Sequence, residues 1–294
     1  MVLQRQRRSR ARVWASRLLP LVVLAPASPW LAPRVLGAPP AAWREEPAVS
    51  ALFRQAGVVG TFVVLEEGSG ALRGHNRARA EQRFVPASTF KIANALIGLS
   101  LGAVRTVDEL IPYTGDANPF MREWLEPMGL RGGMRVSNVP LYQELARRIG
   151  RVRMGEAVQR IPYGNGQIGS EVTTFWLRGP LAISAVEQTR FLSRLAHQRL
   201  PFPVSAQEQV AAITRVDGGP GWSLHAKTGW QNAPGAGVGW WVGWVQRGDR
   251  VVPFALNIDM AGSLDAPQRE RLGRASLRAL GILPASPPSP RPNP

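Results

Sequence analysis

The sequence has no cysteine among its 294 residues and only three histidines. Without cysteine, the chain excludes a thiol nucleophile, a disulfide framework, a cysteine zinc site and a lipid-modified N-terminal cysteine. His75 and His197 do not show the spacing of a metal-binding motif. We therefore expect neither thiol chemistry nor a metal ion in the function.

Lysine is nearly absent as well. The chain has 36 basic residues, and all of them except Lys91 and Lys227 are arginines. Arginine stays protonated in proteins, whereas a buried lysine amine can lose its proton and act as a base or nucleophile. Both lysines fall inside motif-like stretches. We predict that they lie where amine chemistry or a compact ammonium group is required.

The formal net charge is +16, and part of it lies in an N-terminal segment that predicts export. Residues 1–37 run from an arginine-rich zone through an apolar stretch at 18–25 to small residues. This order is typical of a signal peptide, and the apolar part is too short to span a membrane stably. We predict a periplasmic or secreted protein without stable membrane insertion.

Removal of residues 1–37 takes away seven arginines and no acid, which lowers the charge from +16 to +9. The remaining arginines form no clustered stripe with interleaved aromatic residues, so we predict no nucleic-acid partner. The sequence gives no prediction of the oligomeric state.

Residues 38–283 are predicted to form a single domain, followed by a proline-rich tail at 284–294. Strand patterns lie at both ends of this domain, at 60–66 and between 222 and 260, and helical patterns lie between them. This order predicts an α/β fold of the α+β type. Its central antiparallel sheet joins sequence-remote strands, is flanked by N- and C-terminal helices, and carries an inserted helical lobe.

Ser88 and Lys91 open an apolar run that predicts a buried helix ending near Gly102. Residues three apart share one face of a helix, so the hydroxyl and the amine are predicted to lie together. A serine at a helix start is most often an N-cap. A cation in an apolar first turn, however, opposes the helix dipole and is costly. The pair is therefore a candidate nucleophile and base.

Two later stretches supply what a nucleophilic serine needs besides a base. Ser137 precedes a helix that is predicted to start at Pro140, and we expect Ser137 to cap that helix. Gly229 and Trp230 lie in a predicted strand together with Lys227. The backbone N–H groups of Ser88 and Trp230 are candidate oxyanion donors, and Gly229 would let a substrate lie close to the strand.

These pieces, taken in order, resemble the four motifs of the class D β-lactamases, the oxacillinases among the penicillin-recognising serine enzymes. The motifs are Ser88-Thr89-Phe90-Lys91, Ser137-Asn138-Val139, Tyr163-Gly164-Asn165 and Lys227-Thr228-Gly229. The likeness covers residues 50–283, essentially the whole predicted domain. Val139 stands where class A enzymes have asparagine, and Glu171 lacks the surroundings of a class A base.

The resemblance implies hydrolysis of small-molecule β-lactams through an acyl-enzyme on Ser88. Lys91 would carry CO₂ as an N-carboxylated lysine and act as general base, so CO₂ or bicarbonate is the only cofactor expected. An apolar pocket favours this chemistry, because it lowers the pKa of an amine and yields the neutral form that attacks CO₂. The indole N–H of Trp176 would hold the carbamate, and Val139 and Leu177 would flank it.

The resemblance also implies the roles around the substrate. Ser137 would relay a proton to the leaving nitrogen, with electrostatic support from Lys227, while Thr228 and Arg269 would bind the substrate carboxylate. His225 shares a strand face with Lys227, but the class needs no histidine there, so we assign it to packing or to the substrate edge.

Several alternatives stay open from the sequence. Trp176 could be an ordinary core residue, and Tyr163-Gly164-Asn165 could be only a turn that shapes the pocket. The protein could be a penicillin sensor that stays acylated, although such sensors are normally tethered by several membrane helices. It could also be a D,D-peptidase, against which the Tyr163-Gly164-Asn165 motif and Trp176 argue.

Overall fold

The computed structural model describes residues 42–232 and 237–285. The predicted signal peptide lies outside the described residues, as do the tail from residue 286 onward and four residues of the loop after Trp230. The described strands are β1 (Trp43–Glu45), β2 (Gly60–Leu65), β3 (Leu72–His75), β4 (Arg83–Phe84), β5 (Ile183–Ser184), β6 (Arg215–Gly219), β7 (Trp222–Gln231), β8 (Gly237–Arg247) and β9 (Arg250–Met260).

The described helices lie mainly between β3 and β6. They are α1 (Pro47–Ala56), α2 (Arg77–Glu81), α3 (Lys91–Ser100), α4 (Leu130–Arg135), α5 (Val139–Ile149), α6 (Arg151–Arg160), α7 (Phe175–Arg178), α8 (Ala185–Ala196), α9 (Val204–Thr214) and α10 (Ala266–Ala279). Short 3₁₀ turns lie at Ala87–Phe90, Arg122–Leu125 and Ser263–Asp265. Within these ranges, the structure has no helix that combines the length and the apolar character of a membrane span.

The central sheet has seven strands in the order β1-β3-β2-β9-β8-β7-β6, and every pair except β1 with β3 is antiparallel. Strand β2 pairs with β9, so that Phe62 lies opposite Leu256. The two ends of the domain therefore meet in the middle of the sheet. This arrangement confirms the predicted α+β fold, with an antiparallel sheet that joins sequence-remote strands.

The sheet is buried on both faces because its long strands alternate between two cores. On β8, Trp240 and Trp244 join the core beneath the helical lobe, whereas Trp241 and Val245 join the core beneath α1 and α10. Successive side chains of a strand point to opposite faces, which produces this division. The same alternation places Lys227 on the lobe face and its neighbour Ala226 in the opposite core.

Two local predictions were wrong. Helix α3 begins at Lys91, and Ser88 lies in the preceding 3₁₀ turn instead of in the first turn of an α-helix. Ser137 does not cap α5, because the Asn138 side chain accepts the hydrogen bond from Leu141 N at 3.0 Å. The cap falls one residue later than expected, and the Ser137 hydroxyl remains available for other partners.

Candidate active site

The turn that carries Ser88 is held in a strained conformation. Ala87 has φ +49° and is fully buried, in a backbone region that costs a non-glycine residue about 1–3 kcal/mol. Thr89 Oγ1 donates to Pro86 O at 2.8 Å, and Gln188 Nε2 of α8 donates to Thr89 Oγ1 at 2.9 Å. These two buried hydrogen bonds fix Thr89, the residue after Ser88, within the turn and against α8.

Ser88 and Lys91 are in direct contact, as their spacing predicts. Lys91 Nζ lies 2.6 Å from Ser88 Oγ, and the lysine side chain is completely buried. Burial is the main reason that the pKa of Lys91 lies well below its usual value, and the nearby charge of Lys227 lowers it further. No carboxylate among the described residues counters these effects. An amine in this position favours the neutral form, which can accept a proton or react with CO₂.

A buried donor without an acceptor packs against Phe90, the residue before Lys91. The ring of Trp176 stacks on Phe90 at 5.5 Å between centroids, and the indole is fully buried. Its Nε1 has no hydrogen-bond partner among the described atoms. A buried unpaired N–H is costly, and an anionic oxygen would satisfy it. Lys91 Nζ also lies 5.6 Å from the centre of the Tyr142 ring. The residues therefore fit a carbamate on Lys91.

A second hydroxyl and the second lysine, Ser137 and Lys227, form another hydrogen-bonded pair. Ser137 has φ +54°, so it too is held in a conformation that side chains rarely adopt. Lys227 Nζ donates to Ser137 Oγ at 3.1 Å and to Thr228 O at 3.0 Å. Burial lowers the pKa of Lys227 to about 7, with a further contribution from the charge of Arg269. This amine can exchange a proton with Ser137 near neutral pH.

Strand β7 packs directly against the turn that carries Ser88. A Cβ on Gly229 would lie 2.9 Å from Pro86 O and 3.0 Å from Thr89 Cγ2, so a larger residue would push the strand away. Arg269 of α10 is buried and donates through Nη1 to Gly229 O at 2.5 Å. Strand β6 pairs with β7 only as far as His225, so the β7 edge beyond that residue has no strand neighbour among the described strands.

The remaining predicted residues lie in several different surroundings. Thr228 and Lys227 line a cleft of about 630 Å³, whereas Val139 lines a separate groove of about 350 Å³. Leu177 follows Trp176 in α7 and packs partly buried against the lobe core. The Trp230 side chain packs against the opposite core. The structure thus joins Ser88 to Lys91, Lys227 to Ser137 and Thr228, and Arg269 to Gly229.

The Tyr163-Gly164-Asn165 motif and His225 both form contacts that support the fold. The Asn165 side chain accepts a hydrogen bond from Ala182 N at 3.1 Å and donates to Pro180 O at 2.8 Å, so this motif forms a turn that fixes the segment after α7. His225 stacks on Trp244 at 4.4 Å, and its Nδ1 lies 2.8 Å from Ala211 O. The histidine therefore fastens α9 to β7, in line with its assignment to packing.

Sequence reasoning missed Gln188 and Tyr142, both of which are buried beside the site. Gln188 supports Thr89 from nearly a hundred positions away, and no local pattern links the two residues. Tyr142 looks like an ordinary apolar position of an amphipathic helix. Within the described part of the chain, no group of three or more histidine and acidic side chains is placed to hold a metal ion.

Comparison with known proteins agrees with this geometry. The model of the penicillin-binding protein transpeptidase domain matches residues 60–278. The chain is 37% identical to beta-lactamase OXA-5 of Pseudomonas aeruginosa, over 82% of this chain and 89% of that protein. It is 35% identical to beta-lactamase OXA-48 of Klebsiella pneumoniae, over 89% and 99% of the two chains. The chain belongs to the class D β-lactamases.

Solved structures of class D β-lactamases share the fold over nearly their whole length. The enzyme FUS-1 (OXA-85) of Fusobacterium nucleatum subsp. polymorphum superposes with a TM-score of 0.79 at 40% identity, covering 82% of this chain and all of that one. The class D enzyme YbXI of Nostoc gives a TM-score of 0.77 at 36% identity, covering 80% and 99%. The resemblance seen in the four sequence motifs is thereby confirmed at the level of the family.

Proposed function

We propose that this protein hydrolyses β-lactams through an acyl-enzyme on Ser88, with N-carboxylated Lys91 as the general base. The observation that carries the proposal is the contact of 2.6 Å between Lys91 Nζ and Ser88 Oγ. This amine is fully buried and its pKa is lowered. A nucleophilic serine needs an adjacent base that can accept its proton, and burial favours the neutral form of this amine.

The proposed carbamate would be held by residues that already surround Lys91. Trp176 Nε1 would donate to one of its oxygens, which would satisfy an otherwise unpaired buried donor. The negative charge would be close to Lys227, whose charge already acts on Lys91. When present, the carbamate supplies an oxygen base in a site where the described residues place no carboxylate.

The chain's own groups divide the acylation step between them. The Ser88 hydroxyl loses its proton towards the Lys91 side chain and forms the bond to the lactam carbonyl carbon. The backbone N–H groups of Ser88 and Trp230 stabilise the oxyanion, since β7 passes beside the Ser88 turn. As the lactam C–N bond breaks, Ser137 delivers a proton to the nitrogen and is re-protonated from Lys227, which lies 3.1 Å away.

The substrate carboxylate is assigned to Thr228 and Arg269. Thr228 lies at the wall of the cleft, and Arg269 is anchored at Gly229 O by a hydrogen bond through Nη1. In the second half of the reaction a water molecule attacks the ester, and the base at Lys91 accepts its proton. Val139 and Leu177 are assigned to the access of this water.

The experiment measures hydrolysis of a chromogenic cephalosporin and a penicillin by the mature protein, with and without added bicarbonate. We expect many turnovers per enzyme, a rate that rises with bicarbonate, and loss of both in Lys91→Ala. A ¹³C-labelled bicarbonate NMR signal that is present in the wild type and absent in Lys91→Ala would report the carbamate independently of turnover.

Two results would contradict the proposal. One equivalent of stable acyl-enzyme on Ser88 without turnover, under either condition, would favour a penicillin sensor. Turnover of D-alanyl-D-alanine peptides at a rate above that of β-lactams would favour a D,D-peptidase.

We also propose that residues 1–37 direct the protein to the periplasm or out of the cell. The arginine-rich, apolar and small-residue zones in sequence order support this proposal. N-terminal sequencing of protein recovered from the periplasm would test it, and recovery of the intact N-terminus from the cytoplasm would contradict it.

A further inference from the structure

The cleft beside Lys227 extends well past the reactive centre. Gly229 abuts the Ser88 turn, whereas the cleft is lined by Lys227 and Thr228 and continues past Ala226 to the start of β6. Its volume of about 630 Å³ exceeds what a substrate carboxylate alone would occupy. Helix α4, helix α9 and strand β6 provide most of its other lining residues, namely Arg131, Gly132, Met134, Arg135, Ala212, Ile213, Arg215 and Val216.

Two arginines at the rim of this cleft have no side-chain partner among the residues that the structure describes. Arg135 is the last residue of α4 and Arg215 the first residue of β6, and both side chains are exposed. Neither forms a hydrogen bond or ion pair through its side chain with any residue in 42–232 or 237–285. They give the cleft a positive charge that no described side chain pairs with directly.

The other charged groups at the cleft are already paired. Arg131 binds Asp108 through two hydrogen bonds of 2.8 and 2.9 Å. Glu270 accepts a hydrogen bond of 2.8 Å from Arg274, which also donates to Asp217 of β6 at 2.6 Å. The charges of Arg269 and Arg278 act on Glu270 and Asp217 as well, so these two carboxylates are matched by arginines of α10. These pairs leave Arg135 and Arg215 as the groups that would meet an incoming anion.

Apolar side chains line the same cleft as the two arginines. Met134, Ile213 and Val216 line the cleft, and Val216 is 53% exposed. An uncharged ring or linker could pack against this surface while an acidic tip reaches the arginines. The chemistry of the cleft therefore matches an arm that is apolar along its length and anionic at its end.

The assignment of this cleft rests on the proposed function. The direction of β7 then indicates which part of a substrate enters the cleft. The carbonyl carbon lies at Ser88 and the ring carboxylate at Thr228, so the cleft begins beyond the carboxylate end. Cephalosporins carry one variable substituent, here called the arm, on the ring carbon next to the one that bears the carboxylate. We propose that Arg135 and Arg215 form a subsite for an acidic group on this arm, and that the enzyme favours cephalosporins that carry one.

Two cephalosporins provide a matched pair of probes. Cefamandole and cefonicid share the same mandelamido side chain and the same tetrazolylthiomethyl arm, but the tetrazole carries a methyl group in cefamandole and a sulfomethyl group in cefonicid. We expect kcat/KM, or the competitive inhibition constant against a chromogenic β-lactam if turnover is slow, to favour cefonicid by about three- to tenfold. Salt should reduce this preference, because both arginines are exposed.

The double variant Arg135→Gln/Arg215→Gln should abolish the preference, and Arg135→Lys/Arg215→Lys should retain most of it. Arg54→Gln is the matched control, since Arg54 is an exposed arginine on α1, which packs on the other face of the sheet. The melting temperature of each variant excludes a folding effect.

Equal values for the two cephalosporins in the wild type, or a preference that survives in the glutamine variant, would overturn the subsite while leaving the proposed function intact. If neither cephalosporin nor a penicillin acylates Ser88, the proposed function itself fails and the subsite falls with it.

Discussion

The two faces of the central sheet differ in what they bury. The face beneath α1 and α10 is covered by continuous apolar packing, with Phe254 and Leu277 fully buried. The lobe face shares the same strands, yet it buries Lys91 and Lys227, together with left-handed backbone at Ala87. Each of these features costs free energy of folding, and they cluster where the chemistry is proposed. One face of the sheet therefore mainly stabilises the fold. The other face contains groups that lower the stability and are assigned to the proposed reaction.

The largest effect is expected from Lys91→Met on the lobe face. The proposed general base is lost, so kcat/KM should fall by about 10²–10⁴-fold. In CO₂-free buffer, the free energy of unfolding should stay level or rise by about 1–4 kcal/mol, since an apolar side chain of similar volume replaces an uncompensated buried amine. Steady-state kinetics and urea unfolding measure the two effects. A clear loss of stability would mean that Lys91 is a structural residue and would break the contrast between the faces.

The opposite pattern is expected from Leu277→Ala in α10. Removal of a fully buried side chain should lower the free energy of unfolding by about 2–5 kcal/mol. For the fraction of molecules that stays folded, kcat/KM should change by less than about twofold, because the cavity lies across the sheet from Ser88. Kinetics well below the melting temperature, combined with denaturant unfolding, provide the test. A large drop in kcat/KM would show that the two faces are coupled.

Trp176→Phe tests the unpaired donor on the lobe face. The phenyl ring keeps most of the packing but removes the N–H that is proposed to hold the carbamate. The half-saturating bicarbonate concentration should rise about tenfold or more, because a hydrogen bond to a charged group contributes about 1.5–3 kcal/mol. Trp244→Phe is the matched control, since Trp244 Nε1 is also buried without a partner among the described residues. An equal shift in both variants would contradict the assigned role of Trp176.

The smallest effect concerns the pH dependence of stability through Lys227. Its pKa is about 7 in the folded protein against 10.5 in the unfolded chain, so between these values the unfolded chain binds the extra proton. In CO₂-free buffer, the free energy of unfolding should therefore rise with pH across this window, by at most about 1.4 kcal/mol per pH unit. Urea unfolding at several pH values should show a shallower slope in Lys227→Met. An unchanged slope would place the titration elsewhere.

The sequence allows the apolar strands and the reactive pairs to be predicted, because local rules determine both. The strands from β7 to β9 begin and end at the predicted limits, residues 222 and 260, since turn residues bound this stretch. The Ser88–Lys91 contact also follows from spacing alone, in a 3₁₀ turn as well as in an α-helix. The sequence cannot reveal contacts made by remote partners. Asn138 displaced Ser137 as the cap of α5, and Gln188 reaches Thr89 from another helix.

Helix α6 illustrates a second limit of prediction from sequence. Its buried residues, Met154, Ala157 and Val158, form too narrow an apolar stripe among arginines to mark it as a helix. Packing against the lobe stabilises this helix, and the local pattern does not reveal that packing.

Because both lysines are buried, the folded protein should resist a protease that cleaves only after lysine. A protease that cleaves only after lysine finds its two sites, after Lys91 and Lys227, inside the reactive centre and nowhere else in the chain. Cleavage of the native protein by such an enzyme therefore requires this centre to open. The rate of cleavage would report how often the walls of the site separate, and a bound inhibitor that bridges them should slow it.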